Sequence, residues 1–149
     1  MRDDFAAFIL THGRPHNVKT YHTLRKQGYT GPIFLIVDDQ DPARAEYVDQ
    51  YGDQVVVFDK AKAASTTDRC DNFPSLGTVL FARNACYDIA RDMGIQYFVQ
   101  LDDDYNLFEY RYSNGLVYWP VRVGSMDAVL SALVGFLEDT TAQCVCMSQ

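Results

Sequence analysis

The sequence predicts an α/β domain in which helices cover both faces of an open, mostly parallel sheet. Four short apolar runs recur along the first two thirds of the chain, and each is followed by polar residues. Segments with helix start and stop signals, or with apolar residues at helical spacing, separate these runs. An alternation of strands and helices indicates right-handed crossovers, which place the strands parallel in one sheet.

The strands are predicted from runs that are apolar along nearly their whole length. Residues 5–10 (FAAFIL), 33–37 (IFLIV), 54–58 (QVVVF) and 97–101 (YFVQL) have this character. A strand that is buried on both faces needs apolar side chains at successive positions. The four runs therefore fit a parallel sheet that lies between two layers of helices.

The first two helices are predicted from their ends. Residues 17–27 carry apolar side chains at helical spacing, with Asn17 as the expected N-cap and Gly28 as the stop. Asp41 and Pro42 hold the favoured cap and first-turn positions of a second helix, which precedes the third strand.

A third helix is predicted over residues 76–93, because apolar side chains recur there at helical spacing. The preceding polar segment, residues 59–74, lacks that spacing and is expected to be a mobile loop.

The pattern changes after the fourth strand. Residues 108–112 and 116–123 flank the turn sequence SNG and predict a small hairpin, and residues 126–137 predict a further helix. Residues 142–147 are expected to form another strand. Because no helix or cap follows that strand, we expect the chain to be truncated within a larger fold.

Composition limits the class of protein. A chain of 149 residues with 48% apolar and 22% charged residues is expected to be one soluble domain, with no membrane span and no signal peptide, in the cytoplasm. The net charge of −7 argues against a general affinity for nucleic acid. The four cysteines, at positions 70, 86, 144 and 146, lack the spacing of a zinc site or a disulfide framework, and mostly buried, reduced thiols are expected.

Candidate site residues follow the ends of the predicted strands. Ligands of open parallel sheets bind at the carboxyl ends of the strands. The residues that follow those ends are Thr11, His12, Gly13, Arg14, Asp38, Asp39, Asp59, Lys60, Asp102, Asp103 and Asp104. Glycine in the first loop would let the backbone approach a nucleotide, and the threonine would offer a hydroxyl.

The acidic triplet at residues 102–104 predicts a metal site. Adjacent carboxylates repel one another unless a cation compensates them, and oxygen ligands suit Mg²⁺ or Mn²⁺. A solvated acidic turn is the alternative, and the position directly after a buried strand favours the site. His12 and His16 could also bind a metal, but loop histidines that are hydrogen-bonded to the backbone are the favoured interpretation.

Three motifs in this order resemble those of GT-A fold glycosyltransferases: VDDQDP at residues 37–42, FARN at 81–84 and QLDDDY at 100–105. The opening FILTHGRP and the form of the acidic triplet are similar to the TET-associated glycosyltransferases, found mainly in phages. The resemblance implies a GT-A, Rossmann-like domain over residues 1–149. Residues 1–105 would bind the donor, and residues 106–149 would begin the acceptor side.

The same resemblance implies roles for individual residues. Asp38 or Asp39 would contact the base or ribose of the donor, and Asp102 the ribose or a metal-bound water. Asp104 would be a direct ligand, so that Asp102 and Asp104 together mark the metal site. Arg83 and Lys60 could stabilise charge from the sides; a surface helix residue and an exposed loop cation are the respective alternatives.

The function implied is transfer of a sugar from a nucleoside-diphosphate sugar, a UDP-sugar by preference, with Mn²⁺ or Mg²⁺. The acceptor implied is hydroxymethylated pyrimidine in DNA, in the host cytoplasm if the protein is phage-encoded. DNA conflicts with the net charge, although residues 12–26 are basic and free of acids. Other acceptors, the sugar and the stereochemical outcome stay open.

The catalytic base is not identified by the sequence. Asp127, Glu138 and Asp139 are the acids available downstream. The hairpin is rich in aromatic residues, for which ordinary packing is the more common role; Trp119 is the one candidate for stacking on a sugar or base.

The sequence disfavours two other classes of enzyme and leaves two alternatives open. The first loop lacks GxGxxG, which disfavours a dinucleotide-binding oxidoreductase, and no P-loop motif is present. A sugar-phosphate nucleotidyltransferase is the second enzyme candidate, and a non-catalytic nucleotide-binding or interaction domain is the alternative from another class.

Overall fold

A computed structural model describes residues 1–68, 76–115 and 117–148. Its elements follow the predicted alternation of strands and helices. They are β1 (Phe5–Leu10), α1 (Lys19–Lys26), β2 (Ile33–Asp38), α2 (Arg44–Tyr51), β3 (Val55–Phe58), α3 (Lys60–Thr66), α4 (Leu80–Asp92), β4 (Tyr97–Asp102), β5 (Glu109–Asn114), β6 (Val117–Arg122) and α5 (Met126–Asp139).

Four strands form one parallel sheet in the order β3-β2-β1-β4. The central strand β1 is buried along its whole length, which explains why its sequence is apolar at every position. The prediction of an open parallel α/β sheet is confirmed, and the architecture is Rossmann-like.

Helices pack on both faces of this sheet, also as predicted. One core contains side chains of α1, α2 and α5, such as Leu24, Tyr47 and Leu130. The other contains side chains of α3 and α4, such as Ala64 and Phe81. Burial of a large apolar side chain contributes roughly 1.5–3 kcal/mol, so these two cores supply the main stabilising free energy. None of the described helices is long and apolar enough to cross a membrane.

The hairpin β5–β6 is attached to the body through the buried side chain of Gln27, directly after α1. Its amide nitrogen donates to the carbonyls of Phe108 (2.7 Å) and Val123 (2.9 Å), and its amide oxygen accepts from the Phe108 N–H (2.8 Å). Gly28 has a φ of 80° and no side chain, and an added Cβ would lie 3.0 Å from the Gly124 carbonyl oxygen. Both features hold the base of the hairpin against the end of α1.

Several predicted element boundaries are wrong. Asn17 ends a short 3-10 turn instead of capping α1, whose N-cap position is Val18. Asp41 and Pro42 form a turn ahead of α2, and the Asp41 carboxylate accepts from the Ala43 N–H (2.8 Å) within that turn.

Helix α4 begins at Leu80, four residues later than predicted. The described residues 142–147 contain no strand, although one was expected there.

The expected loop at residues 59–74 is also partly wrong, because residues 60–66 form α3. The Asp59 carboxylate caps this helix by accepting from the Lys62 N–H (2.8 Å), and the helix contains three alanines, the best helix former. Residues 69–74 lie outside the described residues, as does Cys70. Of the other thiols Cys86 is buried, whereas Cys144 and Cys146 are exposed, against the expectation of mostly buried cysteines; all three are free.

Candidate functional site

A cleft of about 500 Å³ lies at the carboxyl ends of the parallel strands. Leu10, Ile36 and Phe58 give it an apolar floor. Its polar lining consists of Thr11, His12, Arg14, Asp38, Lys60, Thr78, Arg83, Asp102, Asp103 and Asp104. Most of the residues predicted from the strand ends therefore meet in one place.

Asp103 is buried beneath the first loop and is bound on two sides. Its side chain is 2% exposed, forms an ion pair with Arg14 (2.8 Å) and accepts from the Thr11 hydroxyl (2.7 Å). The Tyr47 hydroxyl lies 2.8 Å from the Thr11 hydroxyl oxygen and accepts from the Arg14 N–H (2.8 Å). Because the Thr11 proton points to the carboxylate, Tyr47 donates to Thr11. Burial raises the pKa of Tyr47, so this hydroxyl stays a donor.

Asp38 forms a second cluster with His12 and Lys60. One carboxylate oxygen lies 2.8 Å from Nδ1 of His12 and 3.3 Å from Nζ of Lys60. Lys60 is the first residue of α3, and its side chain is only 14% exposed. The interpretation of Lys60 as an exposed loop cation is therefore wrong. His12 bonds a carboxylate and not the backbone, which also differs from the favoured interpretation.

Asp102 and Asp104 present their carboxylates differently from Asp103. Asp102 is the last residue of β4, is 42% exposed and forms an ion pair with Arg83 (2.8 Å). Asp104 is exposed. Arg83 thus lines the cleft next to the acidic triplet, which favours the site role over that of an ordinary surface helix residue.

Helix α1 holds the main chain around the acidic triplet. The Thr20 hydroxyl donates to the Asp102 carbonyl and accepts from the Tyr105 N–H (2.9 Å). The Thr20 N–H donates to the Asp103 carbonyl (3.1 Å), and the Thr23 hydroxyl donates to the Tyr105 carbonyl (2.9 Å). These contacts fix the triplet's backbone relative to the sheet.

The residues at this edge fit a divalent cation that is shared with a ligand. Among the described residues no three His, Cys, Asp or Glu side chains form a metal-binding group. Asp103 is buried and both of its carboxylate oxygens are bound, by Arg14 and Thr11, whereas Asp102 is partly exposed with one oxygen paired to Arg83 and Asp104 is exposed; Asp102 and Asp104 are therefore the candidate ligands. Mg²⁺ sites commonly use one or two carboxylates together with substrate phosphate oxygens and water, and this donor set meets that requirement.

Three of the predicted strand-end residues do not line the cleft, and one of them, Asp59, caps α3 instead. Gly13 donates its N–H to the buried Asp41 carboxylate (2.8 Å). An added Cβ at Gly13 would meet no atom within 4 Å, so close packing does not require glycine here. The φ of 67°, which residues other than glycine rarely adopt, is the reason for the glycine. Asp39 is exposed, and its carboxylate accepts from the Lys60 N–H (2.9 Å). Of the two candidate nucleoside contacts, only Asp38 therefore faces the cleft.

The sequence did not identify Tyr47 and Asp41 as supports of the first loop. Tyr47 carried only the signal of a helix core residue, and Asp41 that of a helix cap. Their contacts with the first loop depend on how α2 packs against the end of β1. A local sequence pattern does not predict that packing.

The downstream candidates lie elsewhere in the molecule. Asp127 accepts from the N–H (2.9 Å) and hydroxyl (2.6 Å) of Thr30, just before β2. Glu138 forms an ion pair with Arg2 (2.7 Å), just before β1. Both are therefore at the amino edge of the sheet, away from the cleft. Trp119 does not line the cleft either.

Comparison with known proteins relates the chain to a protein family. The family model of TET-Associated Glycosyltransferase matches residues 5–149. Among the curated proteins and the solved structures, none matches the chain significantly. The matched region includes the whole parallel sheet, the cleft and the hairpin. The chain belongs to the TET-associated glycosyltransferase family.

Proposed function

We propose that the cleft binds a nucleoside-diphosphate sugar together with Mn²⁺ or Mg²⁺ and that the protein transfers the sugar to an acceptor hydroxyl. The observation that carries the proposal is the pairing of an apolar floor with two accessible carboxylates, Asp102 and Asp104, at one strand end. A nucleotide needs both features, because its base is apolar on its faces and its diphosphate requires cations. The enzyme would be of the GT-A type, with residues 102–104 as its DxD motif.

The donor would lie across the carboxyl edge. Its base would pack on Leu10 and Phe58, and Asp38 would accept a hydrogen bond from the base or ribose. The buried position of Asp38 between His12 and Lys60 supports this role, because its carboxylate is held in one orientation.

The charge that develops on the leaving diphosphate needs stabilisation. A bound cation, held by Asp102 and Asp104, would supply Lewis-acid chemistry there. Arg83 lies next to Asp102 and would add a positive charge at the same phosphates. Lys60 is paired with Asp38 and would act on the nucleoside side of the cleft.

The acceptor that we propose is a hydroxymethylated pyrimidine in DNA, with a UDP-sugar as the preferred donor. Residues 1–105 would form the donor-binding part, and residues 106–149 would begin the acceptor side. The setting would be a cytoplasm, that of the host if the protein is phage-encoded. The net charge of −7 opposes DNA binding overall, so the proposal requires a local positive surface.

Calorimetry of UDP binding tests the donor and metal parts. We expect UDP to bind with Mn²⁺ and to lose at least about tenfold in affinity with EDTA, because one missing charge-assisted contact amounts to about 1.4 kcal/mol or more. Asp104→Asn should show the same loss with Mn²⁺ present. Asp139→Asn, at the exposed end of α5, is the matched control. Equal affinity with and without EDTA would remove the metal from the proposal.

The acceptor is tested by mass spectrometry of nucleosides. The protein is incubated with Mn²⁺, a panel of nucleotide sugars, and hydroxymethylated or unmodified DNA. Added sugar mass on hydroxymethylpyrimidine alone supports the proposal. Transfer to other acceptors but not to this DNA would contradict the proposed acceptor. If neither sugar transfer nor donor hydrolysis occurs, a non-catalytic nucleotide-binding domain is favoured.

A further inference from the structure

A positive surface runs beside the cleft on the outside of α1. Residues 5–37 contain no Asp or Glu although the chain is acidic overall. Lys19 and Lys26 lie two helical turns apart on α1, both are exposed, and neither forms an ion pair among the described residues. This row begins at the cleft end of the helix and ends beside Gln27.

Contacts on each side of α1 show which way this row faces. Tyr21 packs against Tyr51 of α2 (ring centroids 5.3 Å apart), so this flank of α1 faces α2. Thr23 lies on the opposite flank, where it bonds the Tyr105 carbonyl. Lys19 and Lys26 are three or four residues from Thr23 and so share its side. The lysines therefore face the chain that leads into the hairpin.

The hairpin extends this surface with exposed aromatic residues. Tyr110 pairs with Val121 and Tyr112 with Trp119, so these four side chains share one face of the two strands. Trp119 is 58% exposed and Tyr112 is 55% exposed. A two-stranded sheet gains little stability from such rings unless something covers them.

The other face of the hairpin is basic. It carries Glu109, Arg111 and Arg122, and the single acid is paired with Arg111 (3.0 Å). Arg122 forms no ion pair within the described part of the chain. A net positive hairpin with exposed rings, beside a row of unpaired lysines, has the combination of backbone cations and stacking platforms that binds single-stranded nucleic acid.

We propose that the outer face of α1 and the hairpin, together the α1–hairpin surface, bind an opened strand of DNA. Lys19 and Lys26 contact its phosphates, and Trp119 and Tyr112 stack on unpaired bases. This inference rests on the proposed function, whose acceptor base would have to leave the duplex to reach the cleft. It assigns the strand next to that base to a surface outside the donor site.

The chain offers a direct probe, because Trp119 is its one tryptophan. A labelled single-stranded oligonucleotide of about 16 nucleotides is titrated without donor or metal, with anisotropy for affinity and tryptophan fluorescence for contact. We expect binding that weakens with salt and quenches Trp119.

Variants separate the two kinds of contact. The double variant Lys19→Gln/Lys26→Gln should weaken binding and reduce the slope of log affinity against log salt by about 1.4, since each lost phosphate contact removes about 0.7. Lys62→Gln, on α3, is the matched control and should change neither. Trp119→Ala should weaken binding roughly 5- to 150-fold, and Trp119→Phe should restore most of it. Circular dichroism confirms that each variant is folded.

Three outcomes overturn the inference. The first is an unchanged affinity and salt slope in the double lysine variant. The second is binding of duplex DNA alone without quenching, and the third is a Trp119 signal that follows protein concentration without DNA, which would assign the surface to a second copy of the chain. Sugar transfer to DNA by the wild type alongside any of these leaves the proposed function standing. If the variants lose oligonucleotide binding but the wild type transfers no sugar to DNA, the proposed acceptor is refuted and the assignment of the α1–hairpin surface stands.

Discussion

Arg14 and Asp103 form one ion pair, but removing either partner should destabilise the protein by very different amounts. Asp103 is 2% exposed and Arg14 is 53% exposed. Arg14→Met leaves a buried carboxylate with Thr11 as its one remaining side-chain donor, and loss of a partner in a buried pair typically costs about 3–5 kcal/mol. Because water reaches the Arg14 position, we expect about 3 kcal/mol.

Asp103→Asn should cost less. The amide oxygen still accepts from Thr11, and the released guanidinium of Arg14 turns to solvent. The loss is one charge-assisted contact, about 1–1.5 kcal/mol. The double variant Arg14→Met/Asp103→Asn should be at least about 1 kcal/mol more stable than Arg14→Met alone, because it no longer buries an unpaired charge.

Urea unfolding followed by circular dichroism measures these differences, with equal slopes as the check that the unfolded states are comparable. Gln143→Ala, exposed near the C-terminal end and far from this pair in the chain, serves as a reference. The reasoning is refuted if Arg14→Met costs no more than Asp103→Asn, or if the double variant is less stable than the wild type by the full sum of the two single losses.

Three further predictions concern other parts of the fold. Burial raises the pKa of Cys86 to about 12, so its alkylation should stay far slower than that of the exposed Cys144 from pH 7 to 9, as read by mass spectrometry; equal rates would contradict the buried position. Gln27→Leu leaves the Phe108 N–H and the Val123 carbonyl without their Gln27 partner, while the Phe108 carbonyl keeps the Val123 N–H (3.0 Å), and urea unfolding should show a loss of about 2 kcal/mol or more, whereas a loss below 1 kcal/mol would be inconsistent with the attachment described. Asp59→Ala removes the cap of α3 and should cost about 1 kcal/mol in the same assay, with Asp59→Asn retaining most of the stability; equal losses in both variants would rule out the capping role.

The parallel sheet could be predicted because its strands carry their signal locally. Residues 5–10 are apolar at each position because β1 is buried on both faces. This pattern can be recognised in the sequence without any tertiary information. Helix α3 lacks such a signal. Its formation depends on the Asp59 cap and on alanine propensity, and only Ala64 is buried.

The site could be predicted as far as it follows from strand ends. Asp38, Asp102 and Asp103 lie at the carboxyl ends of β2 and β4, so the parallel topology alone places them at one edge. The different surroundings of the three aspartates could not be predicted from the sequence. They depend on the ion pairs of Arg14 with Asp103 and of Arg83 with Asp102. Those pairings are set by loop geometry and by the packing of α4.

Within the described part of the chain, the hydrogen bonds from α1 and Gln27 to residues 102–108 go to main-chain atoms. Thr20, Thr23 and Gln27 form hydrogen bonds with backbone carbonyls and N–H groups. The side chains of Asp102 and Asp104 are not partners in these hydrogen bonds. These contacts therefore set where the backbone of Asp102 and Asp104 runs without depending on their side chains. The two carboxylates could be exchanged for other side chains while the backbone path stays as it is.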